Sequence, residues 1–381
     1  MQVLRREEEF EQLKEYKLFM NSIKSEETKK AYLIYFKKYV EYLGDAKDIL
    51  CNKDPIVVQD KIIEYINFLK QKGLTFSAVK NYVTAIVSYY KINDVMINSK
   101  KIFRFMPEQK RVKKDEAYTR EQIQSLLDVA DDRYRAIILL YSSSGIRLGA
   151  VPDLKVRNLK KMENDVYQVT VYENSKEEYT TFTTPECSKA IDKYLAFRKR
   201  CGEEINGESP LIREQFDIKN PFVISHPKKV RTETIDRILT SLSERAGLRR
   251  QEKLDKNGTK KGASCRKDVA VCHGFRKFFS SQLVNSEVNT ERRWLLEGHN
   301  LKGNDSSYVR TSEKQLLDEY MKAVKNLTIN EENRLLIKVK RLELENNDIE
   351  NLKDQVGKIA LGLNNLIEGM NKNKITIQNE K

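Results

Sequence analysis

His273-Gly274-Phe275-Arg276-Lys277-Phe278-Phe279, then Leu295-Leu296-Glu297-Gly298-His299, then Ser306-Ser307-Tyr308: this run holds two of the chain's three histidines. Tyr308 follows His299 by nine residues, and Gly145-Ile146-Arg147 lies well upstream. Histidines that scarce and that clustered point to chemistry rather than composition. The run also sets local structure. A helix opening near His273 carries His273 and Arg276 three residues apart, toward one end of one face. Gly298 sits at a helix end, where a left-handed residue lets the chain turn sharply into His299.

These residue types suit attack on a phosphodiester without a metal. Charge on the non-bridging oxygens has to be held while bonds rearrange, and guanidinium groups do this with two parallel hydrogen bonds. Arg147 and Arg276 are the candidates; losing one preorganised donor of this kind typically costs about 3–4 kcal/mol of barrier. A tyrosine, with an unperturbed pKa near about 10, needs a base or a positive surrounding. His273 or His299 supplies it, because histidine titrates near neutrality. Tyr320 lies close enough to Tyr308 to compete for the same role. The departing 5′-oxygen needs a proton, and Lys176, at the tip of an expected hairpin, is placed to give it. Lys160 and Lys161 are its competitors.

The chain has 381 residues, large enough for two domains with real cores. Lys+Arg number 70 against Asp+Glu 56, a net charge of +14, which favours a polyanionic partner: nucleic acid or an acidic membrane face. The stretch from Glu331 to Lys381 is electrically neutral, so residues 1–330 hold the entire excess. The start, Met1-Gln2-Val3-Leu4-Arg5-Arg6-Glu7, has no apolar secretory core. The most apolar stretch, Ala136 to Tyr141, is too short to span a bilayer. Five cysteines with no C-x-x-C pair argue against disulfides and a structural zinc site. No cofactor and no metal are expected, and the reading is of an intracellular, soluble protein.

Periodicity predicts a helical region over 12–100. Tyr32, Phe36, Tyr39 or Val40 and Leu43 recur at helical spacing after Ser25-Glu26-Glu27. Ile62, Ile66 and Leu69 share a face that stops at Gly73, and Val79, Val83, Ile86 and Tyr90 share another. Their aromatics read as a small helical core rather than as base-stacking platforms. Lys110-Arg111-Val112-Lys113-Lys114 reads as a linker whose charge suits phosphates. Thr119-Arg120-Glu121-Gln122 is a capping box opening two helical stretches that reach Tyr141, where Ser142-Ser143-Ser144-Gly145 ends them. Alternation over 166–184, with a turn at Glu173-Asn174-Ser175-Lys176, predicts a β-hairpin. Helices are expected again at 186–200, 232–246, 275–285 and 290–297, and from Ser312-Glu313-Lys314-Gln315 onward. The basic stretch from Arg245 to Lys267 reads either as a DNA-contacting insertion or as a loop. In the tail, Leu335, Leu342, Ile349, Val356, Leu363 and Met370 recur every seven residues, with Leu352, Ile359 and Leu366 on the companion seam. Such a repeat favours a supercoiled partner helix over a flat core face, the alternative being a long helix folded back on its own protein. Lys338 and Glu345 interrupt the companion seam, and Gly357, Gly362 and Gly369 weaken a long rod.

The order and spacing of these motifs resemble the tyrosine recombinases, the phage-type integrases and their relatives. The wording around His273 and Gly298 is most similar to archaeal integrases. The resemblance covers about residues 12–327. It implies a mainly α fold with a small β-hairpin or sheet in the catalytic domain, a two-domain DNA clamp, and here an added C-terminal heptad helix. The domains it implies are 1–113, a helical core-binding domain with its linker; 114–328, the catalytic domain; and 329–381, a coiled-coil-like tail. It implies the catalytic set Arg147, Lys176, His273, Arg276, His299 and Tyr308. The activity would be site-specific cleavage and rejoining of double-stranded DNA through a 3′-phosphotyrosine, with neither metal nor ATP. The protein would self-associate as a tetramer on paired recombination sites in the cytoplasm, on the nucleoid, with no membrane partner. One departure stands out: the family often has a glutamate three residues after the first arginine, and here that position is Ala150. Two rival readings share the motifs: a type IB topoisomerase that relaxes supercoils, and a DNA-binding regulator with inert catalytic remnants.

Overall fold

The computed structural model describes residues 10–44, 47–109, 116–248, 271–299 and 312–378, the last stretch without the side chains of 344–345 and 364–378. The 110–114 linker, nearly all of the basic 245–267 stretch, and Tyr308 lie outside the described residues. The chain divides into two compact units, Met1–Lys113 and Lys114–Lys381.

The first unit is built on four helices: α1 (Lys14–Ser22), α2 (Glu26–Leu43), α3 (Pro55–Gln71) and α4 (Phe76–Ile92). Their starts are written in the sequence. Ser25, Asp54 and Thr75 each accept a main-chain N–H of the following turn, and Pro55 fills the first position of α3, where no donor is needed. Gly73, at φ +74°, turns the chain after α3 in the left-handed region. The aromatics form the core, as expected. Phe36, Tyr39, Tyr89 and Tyr90 are all fully buried, with the Phe36 and Tyr89 rings 4.7 Å apart. Both Tyr39 and Val40 are inside.

The second unit is organised around one helix. Thr119 and Gln122 close the expected capping box on α5 (Arg120–Asp128). The next helix, α6 (Asp132–Ser144), is buried at every position from Ala136 to Ser144. It runs three residues further than the serine cluster suggests. Ser142 and Ser144 donate back to the carbonyls of Leu139 and Leu140, so their hydroxyls satisfy themselves within the helix rather than ending it. Gly145 ends it instead, at φ +59°.

A three-stranded antiparallel sheet follows: β1 (Leu159–Lys161), β2 (Tyr167–Val171) and β3 (Tyr179–Phe182), in that spatial order. The β2–β3 hairpin is the expected one, with Val169 opposite Thr181. β1 was not evident from the sequence; three residues, two of them exposed lysines, show no alternation to detect. Thr181 Oγ1 donates to the Ser144 carbonyl at 3.1 Å, tying β3 to the end of α6. Around α6 pack α7 (Pro185–Arg200) and α9 (His273–Asn285), with α8 (Thr232–Arg245), α10 (Thr290–Leu296) and α11 (Glu313–Leu327) completing the unit. Ser312 and Gln315 form the second expected capping box, at the start of α11.

Two features exceed the sequence reading. Glu203 is buried between Arg198 and Arg213, accepting from both, with Arg213 Nη1 at 2.6 Å. And α12 (Glu331–Gln378) runs unbroken through Gly357, Gly362 and Gly369. The start of this helix is anchored: Glu186 accepts from the Ile329 and Asn330 amides, and Ile337 packs on the core. Beyond it, Leu342, Ile349, Leu352, Val356, Ile359 and Leu363 are all about half exposed or more. No described helix is long and apolar enough to cross a membrane.

Candidate active site

The site is assembled by two left-handed glycines. Gly145 terminates α6 and delivers Ile146 into the core and Arg147 to the start of a 3-10 turn, Leu148–Asp153. Gly298, at φ +65°, terminates α10. Its N–H reaches the Leu295 carbonyl at 3.0 Å and the His299 N–H reaches Trp294 at 2.9 Å, the paired bonds of a Schellman motif. Both glycines are also pressed from outside. A Cβ on Gly145 would lie 2.2 Å from Cδ1 of Phe279, and one on Gly298 would lie 2.5 Å from Cε1 of Tyr179. So the first residue of β3 is packed directly on the turn that carries His299.

Arg276, in the first turn of α9, bridges the two glycine turns. Its Nη1 donates to the Gly145 carbonyl at 2.7 Å, its Nη2 donates to the Glu297 carbonyl, and Nη2 lies 3.2 Å from His299 Nε2. Arg147 Nη2 donates to the Gly298 carbonyl at 3.1 Å. Arg147, Arg276 and His299, far apart in sequence, are thus brought onto one turn. Burial, then the neighbouring Arg147 charge, lowers the Arg276 pKa from the ordinary guanidinium value; Tyr179 and Glu297 pull the other way. Guanidinium stays protonated through such a shift. Two cations held side by side by main-chain carbonyls leave a local positive excess, which is what an anion site needs.

His273 is exposed at the first position of α9, one turn before Arg276, in the arrangement its spacing predicts. Lys176 is exposed in the connection between β2 and β3, on the hairpin whose Tyr179 packs against Gly298. Of its competitors, Lys160 forms an exposed ion pair with Glu313 at 3.2 Å. Tyr320 is removed as an alternative nucleophile: it is fully buried, its hydroxyl donates to the Ser143 carbonyl at 2.8 Å, and burial holds its pKa well above the usual phenol value.

Sequence reasoning missed two members of this cluster. Burial pushes the Tyr179 phenol up to about 12, against the pull of the Arg276 and Arg147 charges. Nothing in an alternating strand marks one tyrosine out for this place. Glu297 is 6% exposed, with Oε2 at 3.2 Å from His299 Nε2. It did leave a signal: an acidic residue directly after Leu295-Leu296, at a helix end that has to face inward. Ala150, the position where a glutamate was expected, is buried in the core and contributes no carboxylate.

A family model described as the phage integrase family matches residues 116–315. The chain belongs to the phage integrase family. Among curated proteins it is similar to the tyrosine recombinase XerC of Leptospira interrogans, 21% identical over 323 residues, covering 81% of this chain and 92% of that one. Among solved structures, the Tn1549 transposon integrase (residues 82–397) in complex with circular intermediate DNA aligns with a TM-score of 0.50 at 16% identity, over 83% of this chain and 98% of that one. XerH recombinase bound to its difH substrate aligns at 0.48, with 16% identity, over 76% and 78%. The integrase alignment places the mainly helical fold with its small antiparallel sheet among the structures of this family.

Proposed function

We propose that this integrase-family chain is a site-specific recombinase of double-stranded DNA, cleaving and rejoining strands through a 3′-phosphotyrosine at Tyr308 without metal or ATP. The observation that carries the reading is the gathering of Arg147, Arg276 and His299 on the Gly298 turn. In this mechanism the two guanidiniums hold the non-bridging oxygens of the scissile phosphate. His273 and His299 orient the tyrosine or take its proton. Lys176, on the exposed hairpin tip, protonates the leaving 5′-oxygen. A 5′-hydroxyl from a partner strand then reverses the step, and the bond energy stays in the covalent link throughout. The name of the XerC relative and the DNA in the Tn1549 integrase complex support a DNA partner, as does the net charge of +14.

Residues 1–113 would clamp DNA, 114–328 would cut it, and 329–381 would associate with the tail of another copy, contributing to a tetramer on paired sites. The half-exposed seven-residue stripe on α12 supports that last role. The protein would act in the cytoplasm, on the nucleoid.

The decisive experiment uses a DNA site recovered from repeats flanking the gene, nicked beside the cleavage point so that cleaved product cannot religate. A covalent protein–DNA adduct is expected with the wild type and not with Tyr308→Phe. Specific binding without adduct would instead establish the inert regulator. Relaxation of supercoiled DNA lacking the site would establish the topoisomerase.

A further inference from the structure

Glu297 sits where a carboxylate is costly. It closes α10 directly after Leu295-Leu296 and is buried, and a buried carboxylate survives only where partners compensate the lost hydration. Its partners are the active-site cluster itself. The main-chain oxygen accepts from Arg276 Nη2, and the side-chain Oε2 lies 3.2 Å from His299 Nε2. The remaining oxygen, Oε1, is buried and has no hydrogen-bond partner among the described residues. One residue therefore holds the second arginine with its backbone and the histidine with its side chain. Arg147 and Arg276 also donate to the carbonyls of Gly298 and Gly145, and the Ala150 position supplies no acid.

We propose that Glu297 is a positioning residue of this site: its carboxylate fixes the tautomer and orientation of His299 and keeps the imidazole in register with Arg276. This rests on the strand-cleavage reading above. The argument is one of proton placement. His299 Nε2 faces both an Arg276 N–H and a Glu297 carboxylate oxygen, each at 3.2 Å. A bare lone pair on Nε2 would meet the carboxylate's negative charge across that distance. A proton on Nε2 donates to Glu297 instead, and Arg276 directs its N–H groups to the Glu297 and Gly145 carbonyls. Neutral His299 then presents Nδ1 as an acceptor, with Nε2–H anchored. A carboxylate behind a histidine does comparable work in hydrolytic triads, where replacing it by its amide leaves geometry intact but selects the wrong tautomer.

The test uses the full chain with 15N-labelled histidine. Only three histidine rings contribute, and His299 is assigned by its loss in His299→Gln. The wild type is expected to show His299 in the Nε2–H form. Glu297→Gln, isosteric but able to donate as well as accept, and Glu297→Leu are both expected to lose that single tautomer. On the nicked substrate, the rate of adduct formation is expected to fall at least about tenfold in both, with DNA affinity within about twofold and partial recovery in Glu297→Asp. An unchanged His299 tautomer in Glu297→Leu, or adduct forming at the wild-type rate in both variants, overturns the proposal. Absence of adduct from the wild type would sink the cleavage reading instead, and the tautomer measurement would still decide the role of Glu297.

Discussion

Gly145→Ala separates two costs that a left-handed glycine usually confounds. At φ +59° an L-residue is strained by about 1–2 kcal/mol. At Gly145 the new methyl would also lie 2.2 Å from Cδ1 of the fully buried Phe279, whose ring has to shift inside a packed core. Overpacking of that kind costs about 1–3 kcal/mol, so the total expected is about 2–5 kcal/mol. Gly202→Ala is the matched control. It lies in the same unit at φ +92° with nothing within 4 Å of its added Cβ, so it carries the backbone cost alone. Urea unfolding followed by the single tryptophan, Trp294 on α10, reports on this unit specifically. Gly145→Ala should lower stability more than Gly202→Ala by about the overpacking cost, and Phe279→Leu should rescue part of the excess in a double-mutant cycle. Equal losses at the two glycines, or no coupling to Phe279, would refute the steric argument. Because the Gly145 carbonyl also holds Arg276, strand cleavage should fall beyond what stability explains.

Three other predictions concern the buried ion cluster, DNA affinity and the tail. Glu203→Gln should destabilise the second unit by about 3–5 kcal/mol, since it removes the negative charge that compensates two buried guanidiniums. Burial raises the Glu203 pKa, but the hydrogen bonds from Arg198 and Arg213 outweigh it and hold the group below the usual carboxylate value. Its contribution is therefore complete above the unfolded pKa of about 4.3 and is lost as pH falls through the lower folded value, so the gap between wild type and variant should narrow below pH 4 or so. DNA affinity should fall steeply with salt, with a log–log slope more negative than about −4, as expected for displacement of counterions at five or more phosphates; a nearly flat slope would count against a backbone clamp. Truncation after Arg341 keeps the anchored start of α12 and removes the exposed stripe from Leu342 onward. Light scattering, read as chains per particle, should then show a smaller assembly than the full chain forms, and an unchanged number of chains per particle would rule out tail-driven association.

Local signals carried much of this fold. Ser25, Thr119 and Ser312 act as helix caps because their side-chain oxygens meet amides only three residues away. Such contacts are complete within a window that the sequence displays. The Ser142-Ser143-Ser144 run misleads for the same reason. The Ser142 and Ser144 hydroxyls find local main-chain partners in a helix as readily as in a turn, and burial by α7, α9 and α11 decides in favour of helix. β1 and the Arg198–Glu203–Arg213 cluster depend on partners that only the tertiary structure supplies.

The candidate site divides along the same line, with a further consequence. His273 and Arg276 share a helical turn, so their spacing alone brings them together. Arg147 and His299 meet Arg276 only because two glycines turn the chain back at the ends of α6 and α10, and each glycine is recognisable in sequence without showing which ring presses on it. Glu297 is the informative case. A charged residue next to two leucines at an inward-facing helix end breaks the apolar pattern, and such breaks concentrate where structure serves a site. The carboxylate absent at Ala150 and the carboxylate present at Glu297 lie far apart in sequence, yet Arg147, one turn before Ala150, donates to the carbonyl of Gly298, the residue next to Glu297. An acid reaching this cluster from α10 rather than from the turn after Arg147 would meet His299 first and the arginines second. That order ties the charge of the acid to the histidine's proton, and it is why the tautomer of His299 is the measurement that discriminates.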